Sequence, residues 1–513
     1  MTAEAFAKLQ EKLGPALSAN RAGSTTPHVM IAMPSYSVSE SLLSHYGNRI
    51  ASLEHRYLTA IAVAGRIPTC DIVYVSTVKP APEVFDYYLA LLPQDRRDST
   101  RARVGFVEVD DGSARSVAAK LLDMPDLIAA IREHIGDRPA FIEPWNVTDN
   151  EVNLALALDD PINGTAPELR SLAFKSAGRR LFREIGVPVP LGREDVRTTD
   201  DVVDAVRWIA RDRPLLGGVV IKHDDSGAGD GNVVLDLRRM HHADDPDAWV
   251  REEVEALPDW YRSDLLRQGG VVEERIAGAR FSSPSAQVDV LPGGEVRVLA
   301  THEQVLGGEG GQVYLGCTFP ADKAYSAVLA EYAAKIGARL AQAGAMGRFG
   351  VDFVTASSDP LDAANPTWDV YAIEVNLRKG GTTHPYAALR NLVPGRYDPA
   401  TGRWIAEDGS ERCYVASDNL VHESWLGLQP ADVIDWVARA GLQFDPMTKV
   451  GTVLHMLSGL AIDGRFGVTA IARTLGEATE MEASLKATVQ RLADRRLTDR
   501  EPSAAWPEMS ADR

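Results

Sequence analysis

A chain of 513 residues exceeds what one hydrophobic core usually supports, so about three domains are expected. With 45% hydrophobic and 25% charged residues it has the composition of an ordinary globular protein, and no segment approaches the apolar length of a membrane span. Its 72 acidic against 54 basic residues, a net charge of -18, exclude a general basic footprint for nucleic acid or an anionic membrane, although a local basic pocket fits inside an acidic total.

Residues 1–20 form a polar-apolar helical pattern with Glu4, Lys8, Glu11 and Lys12, without the apolar run of a signal peptide. Cys70, Cys317 and Cys413 are scattered without metal-ligand spacing and are expected as reduced thiols of a cytoplasmic protein. Short apolar runs at 28–33, 71–75, 104–109 and 140–143 alternate with helical stretches. That order predicts a mostly parallel sheet with crossover helices. The turn 34–41 offers hydroxyls at a strand-to-helix junction, but no glycine fingerprint follows, so it reads as a cap.

A new unit begins with a helix predicted over 167–185, which carries Lys175. Gly186-Val187-Pro188-Val189-Pro190 closes it, glycine stopping the helix and the prolines imposing an extended exit. A helix at 199–211 and a strand at 218–222 follow, the strand ending at Lys222. It runs into His223-Asp224-Asp225-Ser226-Gly227-Ala228-Gly229-Asp230-Gly231-Asn232 before a strand resumes at 233–235. Glycines at alternate positions between two strands make a flap whose amides can wrap phosphate oxygens. A strand follows instead of a helix, so this is neither a Walker loop nor a dinucleotide turn, and taken alone it could be an ordinary hairpin turn. A strand at 270–276, an alternating stretch at 285–300, a glycine-rich run at 306–316 and a helix over 323–343 come next.

The strand 349–354 isolates Asp352 among apolar neighbours, where an unpaired carboxylate would be costly to bury. After an excursion at 355–367, the strand 371–377 alternates, placing Glu374 and Asn376 on one face and aiming Ile373 and Val375 at a core. If the two strands pair, Asp352, Glu374 and Asn376 converge into the partial oxygen shell that Mg²⁺ takes beside nucleotide phosphates. The plain alternative is a pair of half-exposed strands. Lys175 and Lys222 would bring positive charge to the phosphates, with Arg378 and Gly380-Gly381 facing a reacting carboxylate, a set sufficient for phosphoryl transfer. Beyond Arg390 the texture turns proline- and glycine-rich at 394–399. A helix at 430–440, strands at 452–457 and 467–471 and a helix at 477–492 then predict a small α+β domain, with a disordered tail from Thr498. His384 reads as a loop filler or substrate contact, and His223, His302 and His455 as structural or solvated.

In this order the parts resemble the ATP-grasp superfamily of carboxylate-amine ligases. The matching items are Lys175 ahead of Gly186-Val187-Pro188-Val189-Pro190, Lys222 before the flap, and Glu273-Glu274-Arg275-Ile276-Ala277-Gly278. Val351-Asp352-Phe353 and Glu374-Val375-Asn376 before Gly380-Gly381-Thr382 complete the set, which spans residues 167–390. The whole layout looks most like the peptide ligases of pheganomycin-type biosynthesis. The resemblance implies an α/β and α+β multidomain fold: a pre-ATP-grasp parallel-sheet domain at 1–146, an ATP-grasp domain at 147–393, a C-terminal α+β domain at 394–497 and a tail at 498–513.

The resemblance also implies roles. Lys175 and Lys222 would be the ATP-phosphate lysines, Lys222 acting in catalysis as well, with Ser226, Gly227, Ala228 and Gly229 closing over the phosphates. Glu273, Glu274, Arg275 and Ile276 would be the adenine hinge, holding the base with backbone and side chains. Asp352, Glu374 and Asn376 would bind Mg²⁺, with Mn²⁺ as its substitute. Arg378 and the amide of Gly380 would act on the reacting carbonyl. Arg280 stands where some relatives carry an acidic ribose ligand. The arginine that D-alanine ligase relatives place two residues before the metal aspartate is absent, with Arg348 close by as a substitute.

The expected activity is an ATP-dependent ligation that activates a carboxylate as an acyl phosphate, releases ADP and forms an amide or peptide bond, in peptide or specialised-metabolite biosynthesis. Its partners would be carboxylate- and amine-bearing small molecules or peptides, and a homodimer is compatible with the resemblance. Neither nucleic acid nor a membrane is expected. The rivals are a nucleotide-binding regulatory protein on a degenerate scaffold, and an enzyme that phosphorylates or carboxylates without forming an amide. Retention of both lysines and all three metal ligands argues against the first.

Overall fold

Strand His28–Met33 is buried at every residue, the signature of a strand covered on both faces. In the computed structural model, which describes residues 2–38, 40–226, 231–307 and 313–500, it lies inside a four-stranded parallel sheet. The order is Val104–Glu108, Cys70–Ser76, His28–Met33, Ala140–Pro144. Alternate residues feed separate cores: Met30, Ala32, Ile72 and Tyr74 enter one, Val29, Ile31, Val73 and Val75 the other. The helix Asp149–Leu158 packs on the second core and Ile162 bridges to Ile142, so this unit extends past the expected boundary at 146.

A smaller antiparallel sheet follows, in the order Gly192–Val196, Gly270–Glu274, Gly218–His223, Asn232–Asp236. It has its own apolar core with helix Thr199–Asp212, which starts on a capping box of Thr198 and Asp201.

The largest sheet is antiparallel and begins Asp369–Asn376, Gly347–Ser357, Pro284–Val290, Val296–Gly307, Val313–Phe319. Helix Ser326–Gln342 packs Leu329, Ala333, Ile336 and Leu340 into the core beside it. The sheet does not stop at the expected boundary of 393/394. Val313–Phe319 pairs with Glu411–Val421, which pairs with Arg465–Ala472, and that strand pairs with Gly451–His455. One hydrophobic core joins residues of the first domain, such as Leu58 and Tyr88, to Phe319, Trp425 and Leu454.

The final helix, Leu475–Arg500, runs into the expected tail, since no proline interrupts its sequence before Pro502. The remainder of that tail lies outside the described residues. Among the described residues, no helix is long and apolar enough to cross a membrane.

Candidate active site

Asp352 and Glu374 face each other across the paired strands Gly347–Ser357 and Asp369–Asn376, with Asn376 opposite Gly350. Asn376 Nδ2 lies 2.8 Å from Asp352 Oδ2 and 3.4 Å from Glu374 Oε1. Half a turn of that amide would present its oxygen to the same point. The register shifts beside Asp352, so Ala372 and Val375 enter the core, whereas Ile373, expected there, is only half-buried. A bulge of this kind adds one residue to a strand and re-aims its neighbours.

Burial, and then Glu374 beside it, push the Asp352 carboxyl well above its usual range. Burial also acts to raise Glu374, but Lys175 and Lys222 outweigh it and hold that carboxyl below its usual range. Two adjacent, partly enclosed carboxylates cannot both ionise cheaply without a cation between them. Together with a carboxamide they are a hard oxygen set that fits Mg²⁺. Gln304, which carries no motif in the sequence, donates from Nε2 to Asp352 Oδ1 at 2.7 Å. It lies on Val296–Gly307, two strands away from Asp352, and only the sheet order brings it there.

Lys175 is the first residue of helix Lys175–Glu184, because the predicted helix breaks at Phe174, where ψ is 143°, and residues 167–173 form a separate 3₁₀ turn. No local side chain caps this helix. Asp224 does so from the end of the small sheet, its carbonyl accepting Lys175 N at 3.2 Å and its carboxylate accepting Ser176 N at 2.8 Å. Lys175 Nζ then sits 2.9 Å from Ser226 O, 3.0 Å from Ser226 Oγ and 3.3 Å from Glu374 Oε2. It therefore spans the cleft between flap and carboxylates.

Lys222, buried on Gly218–His223, pairs with Glu273. The other Glu273 oxygen takes Arg179 Nη1 at 2.6 Å. Arg179, 1% exposed, also holds Glu194 at 2.8 Å and the Pro190 carbonyl at 2.7 Å. Glu274 accepts Leu191 N at 2.8 Å. The side chains of Glu273 and Glu274, expected to touch adenine, are thus engaged in holding the small sheet to its connections. The strand ends at Glu274, and an irregular segment containing Arg275 and Ile276 leads out of the sheet.

Three other residues of the expected set have protein partners in this structure. Arg280 donates to the carbonyls of Leu361 and Ala363 in the excursion. Arg348 is a buried bidentate partner of Asp289, both bonds 3.0 Å, so it does not substitute for the missing arginine. The amide of Gly380 donates to Thr383 Oγ1 at 3.0 Å instead of standing open. Gly227, Ala228 and Gly229 lie outside the described residues.

Arg378 lies over the Trp145 ring, its guanidinium carbon 4.8 Å from the centroid, and Trp145 packs on Tyr36 at 4.4 Å. Lys379 pairs with Glu143 and donates its amide to Trp145 O at 3.0 Å. The first domain therefore supplies one wall of the cleft, unseen in the sequence because Tyr36 and Trp145 carry no motif. A Cβ on Gly381 would run into the Tyr314 ring, so this position requires glycine for close approach.

A family model described as "IQCH-like, ATP-grasp" matches residues 250–385, and one described as "PGM1 C-terminal domain" matches 432–485. L-propargylglycine--L-glutamate ligase of Streptantibioticus cattleyicolor is 29% identical over 422 residues, 80% of this chain and 83% of that protein. IQ motif-containing protein H of Danio rerio is 23% identical over 359 residues, 60% of this chain and 33% of that one. Among solved structures, the biotin carboxylase–β-γ-ATP complex of Campylobacter jejuni has a TM-score of 0.51 over 93% of this chain and 96% of its own, at 14% identity. The biotin carboxylase domain of Hydrogenobacter thermophilus 2-oxoglutarate carboxylase, with MgADP, ADP and bicarbonate, has a TM-score of 0.51 over 89% of each chain, at 12% identity. Likeness at these identities speaks for the fold.

Proposed function

We propose that the chain, which carries an ATP-grasp match over residues 250–385 and is similar to a ligase over 80% of its length, is an ADP-forming ATP-grasp ligase joining a carboxylate to an amine as an amide or peptide bond. The observation that carries this reading is the contact of Lys175 with Glu374 beside Asp352 and Asn376, with Lys222 on the neighbouring small sheet acting on the same carboxylate. Asp352, Glu374 and Asn376 would hold Mg²⁺, or Mn²⁺ in its place, which when bound supplies charge neutralisation at phosphate oxygens. Lys175 would exchange Ser226 and Glu374 for ATP phosphate oxygens, and Lys222 would share the same task. Ser226, which Lys175 now contacts, would join them at the phosphates.

A substrate carboxylate oxygen bonds to the γ-phosphorus as the bond to ADP breaks. The amine nitrogen then attacks the acyl carbon, losing a proton and expelling phosphate. Arg378, held over Trp145, would orient the carboxylate. The Gly380 amide would receive the oxyanion once Thr383 Oγ1 gives way. Arg275 and Ile276 are proposed to offer main-chain contacts to the base. The S. cattleyicolor relative is named as a ligase of propargylglycine and glutamate, which supports amino acids or short peptides as the substrate class here. A cytoplasmic location and a homodimer belong to the same proposal.

The test is nucleotide release from the purified protein over an amino-acid pool, with product mass determined. ADP and phosphate formed only when carboxylate and amine are both present, with an amide product, is the expected result. AMP and pyrophosphate, or a phosphorylated product without an amide, would overturn it.

A further inference from the structure

His384, Asp418 and His455 bring ligand atoms to one point from elements distant in the chain. His384 lies in the first turn of helix Thr383–Leu392, Asp418 on strand Glu411–Val421, and His455 at the end of Gly451–His455. His384 Nε2 is 2.9 Å from Asp418 Oδ1 and 3.1 Å from His455 Nε2, and His455 Nε2 is 2.7 Å from the same Oδ1. Both imidazoles are 1% exposed.

Hydrogen bonding alone does not satisfy this triangle. With hydrogens on both Nε2 atoms, two N–H groups crowd against each other on one oxygen. With a hydrogen on only one, the other lone pair faces a carboxylate lone pair. Neither Nδ1 has a hydrogen-bond partner among the described residues, so the polar capacity of both rings is directed at the shared point.

We propose that this cluster binds a divalent transition metal, zinc in the first instance, through His384 Nε2, His455 Nε2 and Asp418 Oδ1. Two imidazoles and a carboxylate are a recognised Zn²⁺ donor set. Atoms separated by 2.7 to 3.1 Å can share one ion at bond lengths of about 2.0–2.2 Å. The second Asp418 oxygen lies 3.2 Å from Arg56 Nε, an outer partner contributed by the first domain. The Tyr57 ring stands edge-on to His384 with ring centroids 6.1 Å apart, and its buried hydroxyl has no hydrogen-bond partner among the described residues. An ion here would fix the start of the helix that follows Gly380-Gly381 to the C-terminal strands. This site shares no ligand with the Mg²⁺ carboxylates, and the inference does not depend on the ligase reading.

The experiment is metal analysis of the full chain by plasma mass spectrometry after gel filtration, then titration with Zn²⁺ or Co²⁺ alone in excess Mg²⁺. About one zinc per chain is expected, together with visible d–d absorption of imidazole-bound Co²⁺. His455→Ala and Asp418→Asn should lose at least tenfold in metal content, whereas Glu374→Gln should retain it. Because those variants could fail to fold, His455→Cys supplies the second arm: it preserves a zinc ligand and should add a thiolate-to-Co²⁺ charge-transfer band. Wild-type protein that takes up neither ion, or a folded His455→Ala with unchanged content, would overturn the proposal.

Discussion

Glu374 and Arg378 are four residues apart on one strand and its exit, yet they meet different neighbours. Glu374 faces Asp352 and the ammonium of Lys175, 3.3 Å away, whereas Arg378 lies over Trp145 of the first domain. Replacing Glu374 by glutamine keeps the shape but removes the charge that balances two lysines and, on our proposal, a cation. Glu374→Gln is therefore expected to lower ADP formation about a thousandfold or more, with Mg²⁺-dependent ATP affinity lost as well. Arg378→Ala should leave the KM for ATP within about threefold and raise the KM for the carboxylate roughly ten- to a hundredfold. Steady-state kinetics with each substrate varied in turn separates the two. An equal loss of ATP affinity in both variants would mean that the stretch is divided wrongly.

At the scale of elements, the helix Lys175–Glu184 depends on a cap that comes from the other side of the cleft. Asp224 accepts its first amides, so the same contact that starts the helix also places the Lys175 ammonium. Asp224→Ala is expected to cost about 1–2 kcal/mol of stability, read by denaturant unfolding, and to raise the KM for ATP several-fold. Asp224→Asn retains an accepting oxygen and should recover most of both. An Ala variant of normal stability and normal KM would show that the helix needs no cap.

This arrangement also explains what was legible in the sequence. The parallel sheet, the pairing of Gly218–His223 with Asn232–Asp236 and the Asp352 and Glu374 strands are readable because apolar period and turn residues are local signals. The break at Phe174 is not, because its cause sits at Asp224, and neither is the bulge that turns Ile373 out of the core. Strands Gly395–Asp398, Arg403–Ala406 and Glu411–Val421 were passed over, as the prolines and glycines of their hairpin read as a boundary. Arg179, Gln304 and His455 have no motif, and each acquires its partners only through tertiary packing.

At the scale of the molecule, the three sheets are not equally independent. The small sheet encloses its own core, and its ends lie together, Glu274 N donating to Leu191 O at 2.7 Å. The C-terminal strands have no such autonomy. Glu411–Val421 covers the edge of Val313–Phe319, and Leu454 is tied to the first domain, its amide 2.7 Å from Tyr87 Oη and its carbonyl 2.9 Å from Tyr88 Oη. Ending the chain after residue 393 would expose a long strand edge and divide the largest core, both of which favour aggregation over folding. Such a truncation is expected to be insoluble or to lack a cooperative melt. Replacing residues 192–273 by a short glycine linker should instead leave one cooperative transition by circular dichroism, while removing Lys222 and the flap and with them ATP binding. A soluble 393-residue truncation that melts like the full chain would show that the C-terminal strands are an added domain, as the sequence suggested, and not part of the central fold.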